Sequence, residues 1–260
     1  MASIQLENIV REFPEARGKG LWRAIDDVCL DVGSGEIVGI LGPSGCGKST
    51  LLNIVAGLDT GYDGRCLIDG VPIGDAIAKG FRVAYVFQQS RLLPWKTVRQ
   101  NIEFVLKAAG HAQSTWRDRI DAMLQMVELS NFADFYPAQL SGGMQQRASI
   151  ARAFAIQPHV LLLDEPFSAL DELTARRLRQ SLLEIWQEFR TTILFVSHNA
   201  MESTFLGDRV MIMGQGPGGR IREKIGLTHL PRPRTYDDVA LFDTSRAVIT
   251  AMQRYVDDLK

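Results

Sequence analysis

The run Gly42-Pro43-Ser44-Gly45-Cys46-Gly47-Lys48-Ser49-Thr50 has the residue types and spacing to hold a phosphate, in the form G-x-x-x-x-G-K-[ST]. Glycines let a backbone wrap closely around an anion with successive N–H groups turned inward. Lys48 would reach the β- and γ-phosphates of a nucleotide, and the Ser49 hydroxyl would hold Mg²⁺. The competing explanation is a tight glycine turn with a lysine beside it. The flanks decide against that. Glu36-Ile37-Val38-Gly39-Ile40-Leu41 reads as a short buried strand, and Leu51-Leu52-Asn53-Ile54-Val55-Ala56 as a helix. Strand, glycine loop, helix is the setting this chemistry needs, because the helix aims its first N–H groups at the same anion.

Two acids supply the next requirement. Leu161-Leu162-Leu163-Asp164-Glu165-Pro166 is an apolar strand ending in carboxylates. In a parallel α/β sheet such a strand end lies on the side where ligands bind. Asp164 would then hold Mg²⁺, directly or through water, and Glu165 would polarise the attacking water as a general base. Leu140-Ser141-Gly142-Gly143-Met144-Gln145-Gln146-Arg147 precedes a helix expected over Met144–Ile156, a second helix N-terminus equipped for an anion. An ordinary serine N-cap with flexible glycines would look the same.

The elements that must position these groups can be read along the chain. Residues 4–11 and 24–32 have strand character, the second with clean alternation from Ile25 to Val32, and a polar loop from Pro14 to Gly20 separates them. A small strand pair is expected over 65–73 around Asp69-Gly70. Val83–Phe87 is a buried strand ending at Gln88. From about 97 to 157 the period becomes helical, with Ile120, Met123, Leu124 and Val127 on one face. Strands resume at 160–164 and 191–196, with a helix over 172–189 between them that turns Leu178, Leu182, Ile185 and Phe189 inward. A hairpin about a Gly-Pro-Gly-Gly turn joins Val210–Met213 to Arg220-Ile221, and a terminal helix begins near 237.

The 260 residues, 46% of them hydrophobic with a net charge of −1, suit one large or two small globular domains. The near-neutral balance argues against nucleic acid as a partner. Three cysteines, Cys29, Cys46 and Cys66, form no metal motif and fit reduced thiols in a cytosolic compartment. The N-terminal residues show neither a basic region nor an apolar h-region, and no run approaches a membrane span. Any action at a membrane is therefore expected through a partner.

Taken in order, the phosphate loop, Gln88, the Leu140–Arg147 run, Asp164-Glu165, Ser168-Ala169-Leu170-Asp171 and His198 resemble the motifs of the ATP-binding cassette (ABC) ATPases over residues 4–225. The resemblance implies an α/β P-loop NTPase of the ABC-ATPase fold. It would have a RecA-like core, an N-terminal antiparallel β subdomain and a helical insertion at about 89–157. Residues 1–225 would form the ATPase domain and 226–260 a short C-terminal extension. It further implies ATP and Mg²⁺ as cofactors and a working pair of subunits. Ser141, Gly142 and Gly143 of one copy would meet the nucleotide held by Gly42, Ser44, Gly45, Cys46, Gly47, Lys48, Ser49 and Thr50 of the other. Gln88 would sense Mg²⁺ and the attacking water, Asp171 would lie at the dimer seam, and His198 would contact the γ-phosphate. Phe13 is expected to stack on adenine, with Trp22 as the alternative. His198-Asn199 stands where the family has His-Asp, and Glu202-Ser203 where it has Glu-Ala. Asn can cap a helix as Asp does but carries no charge.

Gln88-Gln89-Ser90-Arg91-Leu92-Leu93-Pro94-Trp95 is similar to the importer version of that segment, in the subfamily serving nitrate, sulfonate and taurine permeases. Gly216-Pro217-Gly218-Gly219-Arg220-Ile221 and Leu230-Pro231-Arg232-Pro233-Arg234 resemble the same subfamily, and the tail is shorter than the regulatory domain of sugar-importer ATPases. An integral membrane permease would be the direct partner, a substrate-binding protein an indirect one, and the cytoplasmic face of the inner membrane the place of work. Leu92 to Trp95 are expected to form an apolar patch that receives the permease. A nucleic-acid-directed ABC ATPase would bring two cassettes or a coiled-coil insertion. A scaffold without turnover would not keep Lys48, Glu165 and His198. A P-loop kinase would lack Leu140–Arg147.

Overall fold

A computed structural model of the chain describes residues 1–15, 20–214 and 218–257. They fall into two compact units, residues 1–81 with 192–260, and residues 82–191.

The first unit is built on four strands in the order β10-β9-β3-β8. β3 (Ile37–Leu41) and β8 (Thr192–Ser197) are buried at every position, the uninterrupted pattern of strands covered on both faces. β3 runs parallel to β8 and to β9 (Arg209–Gly214). β10 (Arg220–Gly226) returns antiparallel along β9. The register matters for the site. Leu41 is level with Ser197, so the chain leaves β3 into the phosphate loop and leaves β8 into His198 at neighbouring carboxyl ends. Helix α1 (Lys48–Val55) follows the first and α7 (Ala200–Leu206) the second.

A second, antiparallel sheet has the order β2-β1-β4-β5, from β1 (Ile4–Pro14), β2 (Leu21–Val32), β4 (Asp63–Ile68) and β5 (Val71-Pro72). In β2 the expected alternation holds from Asp27 on, with Val28, Leu30 and Val32 inward and Asp27, Cys29 and Asp31 outward, whereas Ile25 and Asp26 before it are both buried. Both long strands extend past their sequence-expected ends. Phe13 pairs with Trp22 and Pro14 with Leu21. Alternation could not reveal these residues, because the outer end of the ribbon buries neither face. The expected polar loop between the strands is now shorter, and its residues 16–19 lie outside the described residues. Helix α2 (Ile73–Ala78) follows β5, and α8 (Val239–Asp257) ends the unit, its Leu241, Val248 and Ala251 buried.

The second unit pairs β6 (Val83–Val86) and β7 (Val160–Asp164) in parallel, with Val86 level with Leu163. Gln88 and Glu165 thus leave neighbouring strand ends. Helices α3 (Val98–Ala108), α4 (Trp116–Met126) and α5 (Gly142–Ala155) lie between these strands, and α6 (Glu172–Phe189) follows β7. Ile120, Met123, Leu124 and Val127 are buried as the period required. Along α6, Leu178, Leu182 and Ile185 are buried, joined by Leu183 and Trp186, whereas Phe189 is only half-buried. α5 begins at Gly142 rather than Met144, because Ser141 caps it and puts both glycines in the first turn.

The expected patch of Leu92, Leu93, Pro94 and Trp95 divides. Leu92 is buried and Leu93 half-buried, while Pro94 is exposed and Trp95 is 70% exposed. The loop that presents Trp95 hangs on Asn101, which is 1% exposed. Its Oδ1 accepts from the Leu93 amide at 2.8 Å, and its Nδ2 donates to the carbonyls of Leu93, Lys96 and Thr97 at 3.2, 3.1 and 3.0 Å. An apolar side chain there would strand those backbone groups. Asn101→Leu is expected to cost about 1–3 kcal/mol of stability, the desolvation cost of a buried polar group left unpaired, whereas Trp95→Ala should change it by less than ~0.5 kcal/mol. Thermal unfolding of the two variants measures both. A large loss on truncating Trp95 would return it to the core.

Candidate functional site

Three backbones crowd the phosphate loop. A Cβ on Gly42 would lie 2.5 Å from the Met213 carbonyl oxygen, and one on Gly47 would lie 2.6 Å from that of Ala24. Gly47 also sits at φ +94°, where a side chain is strained. The Lys48 Nζ, nearly buried, donates to the carbonyls of Gly42 at 2.8 Å and Pro43 at 2.7 Å. The lysine therefore closes the loop on itself and carries its charge to the mouth. No side chain caps α1 at Gly47, so its first amides are not claimed by a capping residue. Ser44, Gly45 and Ser49 are exposed and Thr50 half-exposed in the first turn. Cys46 is buried, and burial pushes its thiol above the ordinary range despite nearby Lys48. It serves the loop through its backbone rather than as a nucleophile.

Behind the loop stands the β9–β10 turn. Of the expected Gly-Pro-Gly-Gly sequence, Gly216 and Pro217 lie outside the described residues. Gly219 donates to the Ala24 carbonyl at 3.0 Å and accepts from the Asp26 amide at 3.1 Å. A Cβ on Gly219 would lie 1.8 Å from the Cys46 carbonyl oxygen. The turn is tied to β2 by Asp26, which accepts from Arg23 Nη1 at 2.8 Å and Arg220 Nε at 2.6 Å. These guanidiniums, Arg220 foremost, hold the Asp26 carboxyl below its usual range. The same stretch of β2 carries Trp22. Its ring lies 6.2 Å from that of Phe13, and the Arg11 guanidinium covers Phe13 at 4.1 Å. Trp22 is 49% exposed, Phe13 less so.

At the end of β8, His198 and Asn199 are exposed. Asn199 caps α7 as expected, its Oδ1 accepting from the Glu202 amide at 3.1 Å. Ser203, in the family's alanine position, is fully buried and donates to the Asn199 carbonyl at 3.1 Å.

The second unit brings Gln88 and Glu165 together, with Gln88 Nε2 donating to Glu165 Oε2 at 3.0 Å. Glu165 has φ +45°, the left-handed region, directly before Pro166. That backbone is costly for a side-chain-bearing residue and is the kind of strain found at functional positions. Ser168 stabilises it from below, donating through its amide at 3.2 Å and its hydroxyl at 2.9 Å to the Glu165 carbonyl. Asp164 accepts from the Tyr85 hydroxyl at 3.3 Å. Burial, then the Asp164 charge, raises the Tyr85 phenol well above its ordinary value, so it stays a donor.

Ser141 Oγ accepts from the Met144 amide at 3.2 Å. A Cβ on Gly143 would lie 2.9 Å from Leu170 Cδ2. Asp171 caps α6, accepting from the Thr174 amide at 3.0 Å, and that bond lowers its carboxyl pKa. From α5, Gln146 donates to the Phe87 carbonyl at 3.1 Å, Gln145 accepts from the Ser90 hydroxyl at 3.1 Å, and Arg152 donates to the carbonyls of Ser90 and Arg91. The segment around Gln88 is thus bonded to the helix that Ser141 starts. Sequence reasoning passed over Tyr85, Gln145, Gln146, Arg152 and Gly219 as site residues. The two glutamines were visible in the motif, but only the fold says which carbonyls they reach.

A nucleotide triphosphate fits these residues: a cradle too tight for side chains, an uncapped helix start and an ammonium at the mouth. Among the described residues no group of three or more His, Cys, Asp or Glu could hold a metal. Mg²⁺ arriving with the nucleotide would take much of its shell from phosphate oxygens, the usual manner for this ion.

Residues 25–168, more than half the chain, match the family described as ABC transporter. The chain belongs to the ABC transporter family. Its activity is that of the family's ATPases. It is 43% identical over 238 residues to the nitrate import ATP-binding protein NrtD of Synechococcus elongatus, covering 91% of this chain and 85% of that one. The aliphatic sulfonates import ATP-binding protein SsuB of Bacillus licheniformis is 44% identical over 229 residues, 87% of this chain and 86% of its own. The bicarbonate transport ATP-binding protein CmpD of a Synechocystis strain is 41% identical over 241 residues, 92% and 83%. The dimeric ABC cassette MJ0796, solved in a post-hydrolysis state with ADP and Pi, superposes with a TM-score of 0.78 at 33% identity, covering 86% of this chain and 98% of that one. The P-loop NTPase fold expected from the motifs is the fold observed.

The Gly219 packing generates a test within this ABC cassette. Gly219→Ala is expected to displace Cys46 and weaken ATP binding at least about tenfold, about 1.4 kcal/mol. Gly226→Ala, where a Cβ meets nothing within 4 Å, should leave it unchanged. Titration with a fluorescent ATP analogue measures both. Equal affinities would show that the turn does not shape the loop.

Proposed function

We propose that this chain is the ATP-hydrolysing subunit of an importer for a small oxyanion. The observation that carries the proposal is the set of relatives named for nitrate, sulfonate and bicarbonate, each spanning most of the chain. Nitrate and sulfonate belong to the sequence expectation; bicarbonate widens it. The ATPase domain is assigned to residues 1–225, with 226–260 as the extension.

In this proposal the amides of Gly45 to Thr50, with Lys48, hold the β- and γ-phosphates, and the adenine stacks on Trp22 rather than Phe13. Two features support that choice: Trp22 is the more exposed ring, and Arg11 already covers Phe13. Mg²⁺, when bound, neutralises charge developing on the phosphates. Glu165 takes a proton from the attacking water, and its hydrogen bond to Gln88 is the means by which that carboxylate is oriented before nucleotide arrives. His198 contacts the γ-phosphate and fixes the geometry of the attacking water. Ser141 and Gly143 meet the nucleotide of a second copy.

The chain then works at the cytoplasmic face of the membrane by docking on a separate permease, which a substrate-binding protein supplies. Among the described residues no helix is long and apolar enough to cross a membrane. Trp95 is the assigned anchor. Its exposure supports this, and so does the groove of about 570 Å³ beside it, lined by Lys96, Phe104, Lys107 and Trp116. Tryptophan is enriched among residues that carry interface energy.

Uptake of labelled nitrate, sulfonate, taurine and bicarbonate in cells lacking this chain tests the proposal. One of these fluxes should vanish and return with the wild-type chain. It should not return with Glu165→Gln, whose ATP turnover is expected to fall by roughly 10²–10⁴ with ATP binding retained. Unchanged uptake of all four anions, or full rescue by Glu165→Gln, would overturn it.

A further inference from the structure

Leu230-Pro231-Arg232-Pro233-Arg234 is conspicuous in the sequence, and no step of the reaction uses it. Its place in the fold is specific. Helix α7 has seven residues and begins directly after His198-Asn199. A helix of that length does not hold itself together, so both ends must be tied. Asn199 ties the first, capping the Glu202 amide and donating its own amide to Ser197 Oγ at 2.9 Å. At the other end the carbonyls lack helical partners, and two arginines take them. Arg234 Nη1 donates to the carbonyls of Thr204 and Gly207 at 2.6 Å each and Phe205 at 3.2 Å. Its Nη2 donates to those of Leu227 and Leu230 at 3.2 and 3.3 Å. Arg232 Nη2 donates to the Leu206 carbonyl at 2.6 Å and to Asp208 Oδ1 at 2.8 Å. The other carboxylate oxygen of Asp208 accepts from the Ile37 amide at 2.9 Å, at the start of β3, the strand that feeds the phosphate loop. Tyr236 stacks on Phe205 with ring centroids 4.3 Å apart and planes 7° apart.

We propose that residues 230–236 clamp the C-terminal end of α7, and that Arg234 and Arg232 are positioning residues for His198 at its other end. The proposal rests on the role given to His198 above. Docking a tail needs only apolar contacts, and this extension has them in Leu227, Leu230, Leu241 and Val248, all buried. An arginine only 3% exposed is a costly addition to such a core. What it adds is direction: each carbonyl of the last turn is held at a set distance, and a cation sits at the negative end of the helix. Burial, then the charge of Arg232, brings the Arg234 pKa down to about 10, which leaves it protonated at neutral pH. Through Arg232 and Asp208 the same clamp grips the head of β3. The seat of the nucleotide and the helix behind His198 thus share one anchor in the C-terminal extension.

Steady-state ATP hydrolysis by the full-length chain tests this, with Arg234→Gln, Arg234→Lys, Arg232→Gln and His198→Ala made singly, and Arg234→Gln combined with His198→Ala. Displacing a contact group by a fraction of an ångström to one ångström should lower kcat between about 10- and 100-fold in Arg234→Gln and Arg232→Gln. The KM for ATP should stay within about twofold, because Asp208 keeps its own bond to the Ile37 amide at the head of β3 when either arginine is replaced. Arg234→Lys, which keeps the cation and part of the bonding, should recover part of kcat. The double variant should be no slower than His198→Ala, since groups acting through one another are non-additive. If Arg234→Gln fails to fold, Arg232→Gln carries the test, because it leaves the buried arginine in place. Additive losses, or a raised KM with unchanged kcat, would overturn the clamp. A loss in His198→Ala with none in the arginine variants would overturn the clamp alone. Full turnover in His198→Ala would remove the role of His198, and the clamp with it.

Discussion

A loop that offers its backbone amides to an anion has no room for anything else, and much of this structure answers that constraint. The carbonyls of Ala24 and Met213 and the backbone of Gly219 lie against Gly47, Gly42 and Cys46 at distances no Cβ would survive. Those neighbours come from two regions far apart in sequence, β2 and the β9–β10 pair. β3 must end where the loop begins, β2 must pass beside it, and the β9–β10 turn must close behind it. Arg23, Asp26 and Arg220 fix that turn to β2 with charged hydrogen bonds. Such bonds are stronger than neutral ones and set direction as well as energy.

The second unit is arranged around a different problem, that of keeping Gln88 and Glu165 in register with the serine-capped start of α5. Gln88 and Glu165 meet because β6 and β7 pair in parallel and in step. The strained backbone of Glu165 is braced by Ser168. Gln145, Gln146 and Arg152 then bond the residues on either side of Gln88 to α5, the helix that Ser141 caps. Interfaces and packed helices of this kind tend to move as bodies rather than deform.

Much of this was legible in the sequence, because the chemistry sits in short contiguous motifs. The phosphate loop, the Asp164-Glu165 strand end and the serine-glycine helix start each announce a local backbone geometry. Buried strands such as β3 and β8 were readable from unbroken apolar runs. What could not be read depends on partners far along the chain. The pairing of Phe13 with Trp22 lies beyond the alternating pattern. Leu92 and Trp95 look equivalent as apolar residues, and only the fold separates the buried one from the exposed one. The arginines of the tail gave a family pattern, yet their acceptors, the carbonyls of α7, carry no sequence signal at all. A backbone carbonyl is the same in every residue, and so which carbonyl a side chain reaches must be learned from the fold.

The central claim is that each nucleotide uses the phosphate loop of one copy and the Ser141–Gly143 helix start of another. Mixing Lys48→Ala chains with Ser141→Arg chains measures it most directly. On that claim neither homodimer would have an intact pair of anion seats, and each mixed dimer would have one. With the mixed dimer crosslinked and purified, the account predicts ATP hydrolysis well above both parents. Hydrolysis no higher than the parents would contradict it.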